Sequence, residues 1–258
     1  MLRFYAVKFS QYGLLIFLAA SLNFALPRLM PGDPLLYVIG DDVTVMSAED
    51  KDAARERLGL NKTVTVQYFE YLGRLLRGDL GYSFRENKPV STVIAGRIPW
   101  TILLSALNIL ISTLIGTAAG ALAAWRRGTR LDLGLGTLFI FLRSMPSFWF
   151  GMILVAVFGA TLRWFPVFGA YTMWSDYTGA ALVLDILRHL TLPLTTMVVL
   201  SVTSIFITMR YSMINTLGED YITMAELKGV PPKRIKYRHA MRNALIPVVT
   251  VVMMNIGF

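Results

Sequence analysis

Charge disappears from this chain for stretches of about 20 positions, the length a helix needs to cross hydrocarbon. Gln11 to Pro27 is the first such stretch, between Lys8 and Arg28, and Ile98 to Trp125 is the clearest. Leu133 to Leu162 is a third, interrupted by Arg143, and His189 to Met209 is a fourth, between Arg188 and Arg210. Asn243 to Phe258 begins a fifth, which is expected to be cut short because its 16 residues stop inside an apolar run. The first stretch is too long for a signal peptide and holds no small-residue cleavage site, so it reads as a retained span.

The polar intervals set the orientation. One short connection holds Arg126, Arg127 and Arg130. Another, Tyr211 to Arg242, holds Lys228, Lys233, Arg234, Lys236, Arg238 and Arg242. If the spans alternate, both fall on one side together with Arg3 and Lys8, and the positive-inside rule makes that side the cytoplasm. The opposite connections are a long one from Arg28 to Arg97 and a shorter one from Arg163 to Arg188.

The long outer segment carries its own helical signals. Pro31-Gly32-Asp33-Pro34 forms a turn, and Ser47 to Asp50 fits a capping pattern before a helix through Leu58 that Gly59 stops. Gln67 to Arg77 places Phe69, Leu72, Leu75 and Leu76 at helical spacing before Gly78. The expected organisation is a first span over 1–30, a small helical extracytoplasmic cap over 31–97 and a membrane core over 98–258, with a special loop at 211–242.

Composition agrees with that pattern. The 258 residues are 55% hydrophobic and 16% charged, against about 25% charged in soluble domains. The fold class expected is an all-α, polytopic membrane bundle. The net charge of +9 sits largely in short gaps between apolar stretches, so the partner it suggests is membrane lipid rather than nucleic acid. No cysteine is present, which removes disulfides and thiol chemistry from consideration.

Enzymatic chemistry has no foothold. There are two histidines, and no HExxH, GxSxG or GxxxxGK[ST] pattern occurs. The spans are nearly free of carboxylates, so a proton relay is poorly supported. Any uphill work must enter through a partner. The segment suited to one is Tyr211 to Pro247, in which Glu219 and Asp220 precede a short run ending at Gly229, and Pro231-Pro232 restarts a helix. Arg234, Arg238 and Arg242 recur there every four residues, a repulsive stripe that calls for acidic lipid or an acidic protein surface. The hinge Gly229-Val230-Pro231-Pro232 makes a compact helical knob and favours protein docking.

Several single residues have two readings each. Arg143, roughly 15 Å along the third helix, either lines a pathway or snorkels to the interface. Trp100, Trp149, Trp164 and Trp174 suit an interfacial belt better than substrate stacking. His189 is expected at an interface, and His239 is expected to be structural or to lie near the docking surface. Gly116 and Gly120 form a GxxxG suited to close helix packing.

Ala225-Glu226-Leu227-Lys228-Gly229, followed by Arg238-His239-Ala240-Met241-Arg242-Asn243-Ala244-Leu245-Ile246-Pro247, resembles the EAA loop of ABC importer permeases in its dipeptide/oligopeptide form. Pro31 to Pro34, Gly78-Asp79-Leu80-Gly81-Tyr82-Ser83 and Ser144-Met145-Pro146-Ser147-Phe148-Trp149 look like the same family in the same order. The resemblance implies a type I importer fold of about six spans in a bacterial or archaeal plasma (inner) membrane. It also implies a second permease subunit in a heterodimer, two ATPase subunits carrying the ATP and magnesium, and an extracytoplasmic substrate-binding protein. The chain itself would bind no cofactor. Ala225, Glu226, Leu227, Lys228 and Gly229 would be the coupling segment that docks the ATPase, and the cargo would be peptides or related small solutes. The rivals are a self-sufficient secondary transporter or channel, which would need ion-handling residues in its spans, and a non-transporting scaffold that recruits a partner through the 211–242 loop.

Overall fold

The computed structural model describes residues 2–29, 35, 43, 45–57, 60–83 and 86–256. The expected turn at Pro31 to Pro34, the helix stop at Gly59 and the terminal Phe258 lie outside them. The chain divides into two units, Met1–Ile98 and Pro99–Phe258.

In the first unit, α1 (Leu2–Leu29) is a long apolar helix. Its last turns meet α3 (Val64–Leu76) through polar contacts: Ser21 Oγ lies 2.6 Å from the Tyr68 hydroxyl, and Arg28 donates to Gln67 Oε1 at 2.7 Å. Phe24 is buried there, with the Arg28 guanidinium 3.6 Å above its ring. Between them, α2 (Ala48–Arg57) starts at the expected cap, where the Asp50 amide donates to Ser47 Oγ at 3.1 Å and that hydroxyl donates to Asp50 Oδ2 at 2.7 Å. α3 ends where Gly78 takes φ +78°, and the amides of Gly78 and Asp79 donate back to Leu75 and Arg74. A short antiparallel hairpin follows, β1 (Tyr82–Ser83) with β2 (Lys88–Pro89). Helical periodicity gave no sign of it. α4 (Val90–Trp125) starts ahead of the uncharged stretch, because a helix does not need to end where charge begins.

The second unit holds the remainder of α4 and then α5 (Arg130–Arg143), α6 (Ser147–Leu154) and α7 (Gly179–Leu217). α6 continues as a π-helical segment over Val155–Thr161. After α7 come α8 (Asp220–Leu227) and α9 (Pro232–Arg234). α9 runs through a second π-helical segment, Ile235–Ala240, into α10 (Met241–Ile256).

Each of the five charge-free stretches therefore finds its helix. Among the described residues four helices are long and apolar enough to cross a membrane, and the third stretch is a pair bent by 95°. The bend falls where Pro146 has no amide hydrogen to give the helix. Each of the four long helices also contains a proline: Pro27, Pro99, Pro193 and Pro247. Large apolar side chains such as Ile16, Leu114, Ile140 and Ile246 lie exposed, as suits a surface facing hydrocarbon.

α4 and α7 pack at close range, and the GxxxG is the reason. A Cβ on Gly116 would stand 2.8 Å from two atoms of Ile205, and one on Gly120 would stand 2.7 Å from the Phe206 carbonyl oxygen. Backbone is the obstacle at Gly120, so no rotamer change relieves it. Gly120→Ala is expected to cost about 1–3 kcal/mol as an overpacked site, read as a lowered thermal midpoint in detergent. Gly134→Ala, where a Cβ meets nothing within 4 Å, is the matched control and should not lower it.

Candidate functional site

The C-terminal ends of α4 and α7 carry a knob built from α8, the turn after it, and α9. Glu219, in extended backbone, and Asp220 open α8, where carboxylates complement the helix dipole. Ile222 and Ala225, three residues apart, share one face of α8 and turn inward; Ile222 is 1% exposed. They join Ala121, Ala124, Met209, Met213 and Ile235 in one buried cluster. Ala240, Ala244 and Val248 extend that cluster along α10.

The turn is a complete helix stop. Gly229 takes φ +74°, its amide donates to the Glu226 carbonyl at 2.9 Å, and the Val230 amide donates to the Ala225 carbonyl at 3.1 Å. Val230 packs against the buried cluster, which closes the motif from inside. Pro232 then occupies the first position of α9, where its missing amide hydrogen costs nothing. Asn243 Nδ2 donates to the Tyr221 hydroxyl at 2.8 Å, tying α8 to the start of α10.

The five residues expected to form the coupling segment are placed differently. Ala225 is buried, and its small side chain lets α8 lie against the bundle. Glu226, Leu227, Lys228 and Gly229 are exposed. So is Met224, and Leu227 is 79% exposed, an apolar side chain presented by the knob away from its core. Among the described residues nothing lies within 4 Å of where a Cβ on Gly229 would stand. Arg234, Arg238 and Arg242 are exposed as well, and Lys236 Nζ stands 6.0 Å over the Trp125 ring. The two basic connections therefore meet at one end of this unit, as alternating spans require.

Beneath the knob lies an ion pair that the sequence did not disclose. Arg210 Nε and one terminal nitrogen donate to the two Asp132 oxygens at 2.6 and 2.8 Å. The Gly128 amide adds a bond to Asp132 Oδ2 at 3.1 Å, and Asp132 is buried. The pair bolts the start of α5 to the last third of α7. Thr129, which caps α5, accepts from the Asp132 amide, so Asp132 in sequence looks like an ordinary capping partner. Arg210 in turn looks like a span-flanking cation, and no local signal joins the two.

At the opposite end of α7, Asp185 accepts from the Thr172 amide at 2.6 Å and its hydroxyl at 2.8 Å. His189 is buried beside it, with Nδ1 2.9 Å from the Asp185 carbonyl oxygen. α7 begins ten residues before His189, at Gly179, so the histidine lies within the helix rather than at its end. Arg143 ends α5 at the bend with its side chain exposed, and His239 is half-buried in the second π-helical segment. Trp100 stacks on Tyr171 at 6.1 Å, while Trp149, Trp164 and Trp174 are exposed. No group of three or more His, Asp or Glu that could hold a metal occurs among the described residues.

Residues 116–258 match the family described as binding-protein-dependent transport system inner membrane component. Residues 1–105 match the N-terminal region of the membrane components of such systems. The chain is 37% identical over 266 residues to the di/tripeptide transport system permease protein DppB of Pseudomonas aeruginosa (strain UCBPP-PA14), covering 96% of this chain and 78% of that one. It is 34% identical over 232 residues to the oligopeptide transport system permease protein AppB of Bacillus subtilis (strain 168), covering 89% and 71%.

Proposed function

We propose, on the premise that this chain belongs to the family of binding-protein-dependent transport system inner membrane components, that it imports short peptides and docks its ATPase through α8 and the Gly229 turn. The chain is a multi-pass inner membrane permease subunit of an ABC importer, works with other components of that system, and is not an enzyme. The peptide cargo is supported by relatives named for di/tripeptide and oligopeptide transport. The partners proposed are a second permease completing the pathway, two ATPases holding ATP and magnesium, and a binding protein on the outer side. The basic end bearing the knob and the N-terminus then face the cytoplasm.

One observation carries the docking reading: the knob is fastened inward by Ile222, Ala225 and Ile235 while Leu227, Lys228 and Gly229 stand out from it. A surface so fixed moves with the helices beneath it. ATP binding closes the two ATPases, the knob follows the surface it sits on, and α4, α7 and α10 shift because they share its core. The access change is then a rigid-body event biased by whichever state the partner binds better.

Affinity purification of the tagged chain in mild detergent is expected to bring down a second permease and an ATPase. Vesicles holding that assembly should accumulate radiolabelled trialanine with ATP inside and a loaded binding protein outside, and vesicles holding this chain alone should not. Accumulation by the chain alone would make it a self-sufficient transporter. A stable assembly that moves no solute would make it a scaffold.

A further inference from the structure

α3 is a helix without a core of its own. None of its 13 residues is buried, and a helix of that length is marginal in water by itself. Its apolar side chains nevertheless gather on one side. Phe69, Leu72 and Leu76 recur at three- and four-residue spacing, and Phe69 is 66% and Leu76 90% exposed. Gln67, Glu70 and Arg74, spaced in the same way, occupy the other side.

The contacts with α1 fix which side faces which way. Arg28 lies seven residues beyond Ser21, roughly 10 Å nearer the end of that helix. The deeper Ser21 meets the Tyr68 hydroxyl at 2.6 Å, and the shallower Arg28 meets Gln67 at 2.7 Å. Between them, Asn23 Nδ2 donates to the Tyr71 hydroxyl at 3.2 Å. Gln67 belongs to the polar side of α3, and Tyr68 borders the apolar one. The polar side therefore turns toward the end of α1, and the apolar stripe toward its middle.

Depth follows from α1 as well. Lys8 and Arg28 are separated by roughly 30 Å of helix, the thickness of the hydrocarbon. α3 crosses α1 between Ser21 and Arg28, so it lies within about 10 Å of the hydrocarbon edge, the depth at which interfacial helices rest. Arg28 and Arg74 line one hollow of about 130 Å³ on the polar side, together with Glu70, which pairs with Lys62. Two arginines so placed stand at the level of headgroup phosphates.

We propose that α3 lies in the membrane surface at the C-terminal end of α1, with Phe69, Leu72 and Leu76 among phospholipid acyl chains. The inference rests on the importer reading only in taking α1 as a span. Lipid supplies the apolar contact that the described residues do not, and the cap is seated on the bilayer through this helix.

The chain has no cysteine of its own, so a nitroxide can be placed at single positions of the full chain in phosphatidylethanolamine and phosphatidylglycerol vesicles. Phe69→Cys and Leu76→Cys probe the stripe, Glu70→Cys and Arg74→Cys the polar side, and Leu18→Cys the middle of α1. Power-saturation spectra with oxygen, which enters lipid, and with a neutral nickel chelate, which stays in water, read the depth of each label. The oxygen-to-nickel accessibility ratio is expected to be several-fold higher at 69 and 76 than at 70 and 74, and to stay so when unlabelled partners complete the assembly. Labels at 69 and 76 as open to nickel as the one at 70 would place the stripe in water and overturn the proposal. Immobile labels reached by neither reagent would overturn it as well: in the chain alone they would indicate a second copy, and only in the assembly the binding protein or the other permease. A Leu18→Cys label open to nickel would instead strike the span reading of α1, on which the importer reading itself depends.

Discussion

Gly229→Trp is expected to abolish ATP-driven uptake while leaving the bundle folded. A Cβ on Gly229 would meet nothing within 4 Å among the described residues, so the knob leaves room there for a larger side chain. On the proposed docking, what it would meet is the ATPase. The backbone at φ +74° adds a conformational cost for any residue with a Cβ, on the order of 1–2 kcal/mol. That cost is shared by Gly229→Ala, which separates the two effects. Alanine should lower the thermal midpoint slightly and keep most uptake; tryptophan should lower it by a similar amount and remove uptake, with ATP hydrolysis lost or no longer stimulated by loaded binding protein. Uptake and hydrolysis measured in the same vesicles decide the matter. Normal uptake by the tryptophan variant would sink the docking reading.

Breaking the Asp132–Arg210 pair should produce the largest stability loss of any single polar change. The Arg210 side chain is 23% exposed and that of Asp132 only 2%, so removing either leaves a charge with little water to turn to. Loss of one partner of a buried pair costs about 3–5 kcal/mol. Arg210→Met should be the worse of the two singles, because it strands the more deeply buried group. Asp132→Ala also takes the acceptor from the Gly128 amide. The double variant Asp132→Leu with Arg210→Met should recover most of the loss, since a matched apolar pair strands no charge. Thermal midpoints of the three in detergent test this. Singles that melt with the parent, or a double no better than the worse single, would show that the two charges are not coupled.

Much of this architecture was written in the spacing of charges. Lys8 and Arg28 enclose an uncharged stretch of α1, and Arg188 and Arg210 enclose one of α7, because charge is excluded from hydrocarbon whatever the tertiary contacts. The Ser47 cap, the Gly78 stop and the Gly229 stop were legible because each is decided within six residues. Gly116 and Gly120 were legible as a pair, and the helix they admit was found against them.

What the sequence concealed was long-range pairing. Asp132 and Arg210 lie 78 positions apart, and each has a sufficient local explanation. Arg188 marks the edge of the charge-free stretch, whereas α7 runs on past it to Gly179 and brings Asp185 onto Thr172. Ala225 belongs to the recognised loop yet faces inward, since a motif records which residues recur and not which side of a helix they occupy. The hairpin at Tyr82 and Lys88 escaped because two-residue strands leave no periodicity to detect.

The prolines of the long helices bear on how far a push can travel. A helix transmits force along its ladder of backbone bonds, and a proline removes one rung. In α10 the missing rung belongs to Pro247, within two turns of the start of that helix. In α7 it belongs to Pro193, which leaves Leu194 to Leu217 as a continuous lever of roughly 36 Å. Ser201 and Ser204 ride on that lever, on the same side of Pro193 as the knob, so under the proposed docking a stroke at the knob would carry them with it while Asp185, beyond the proline, would stay behind.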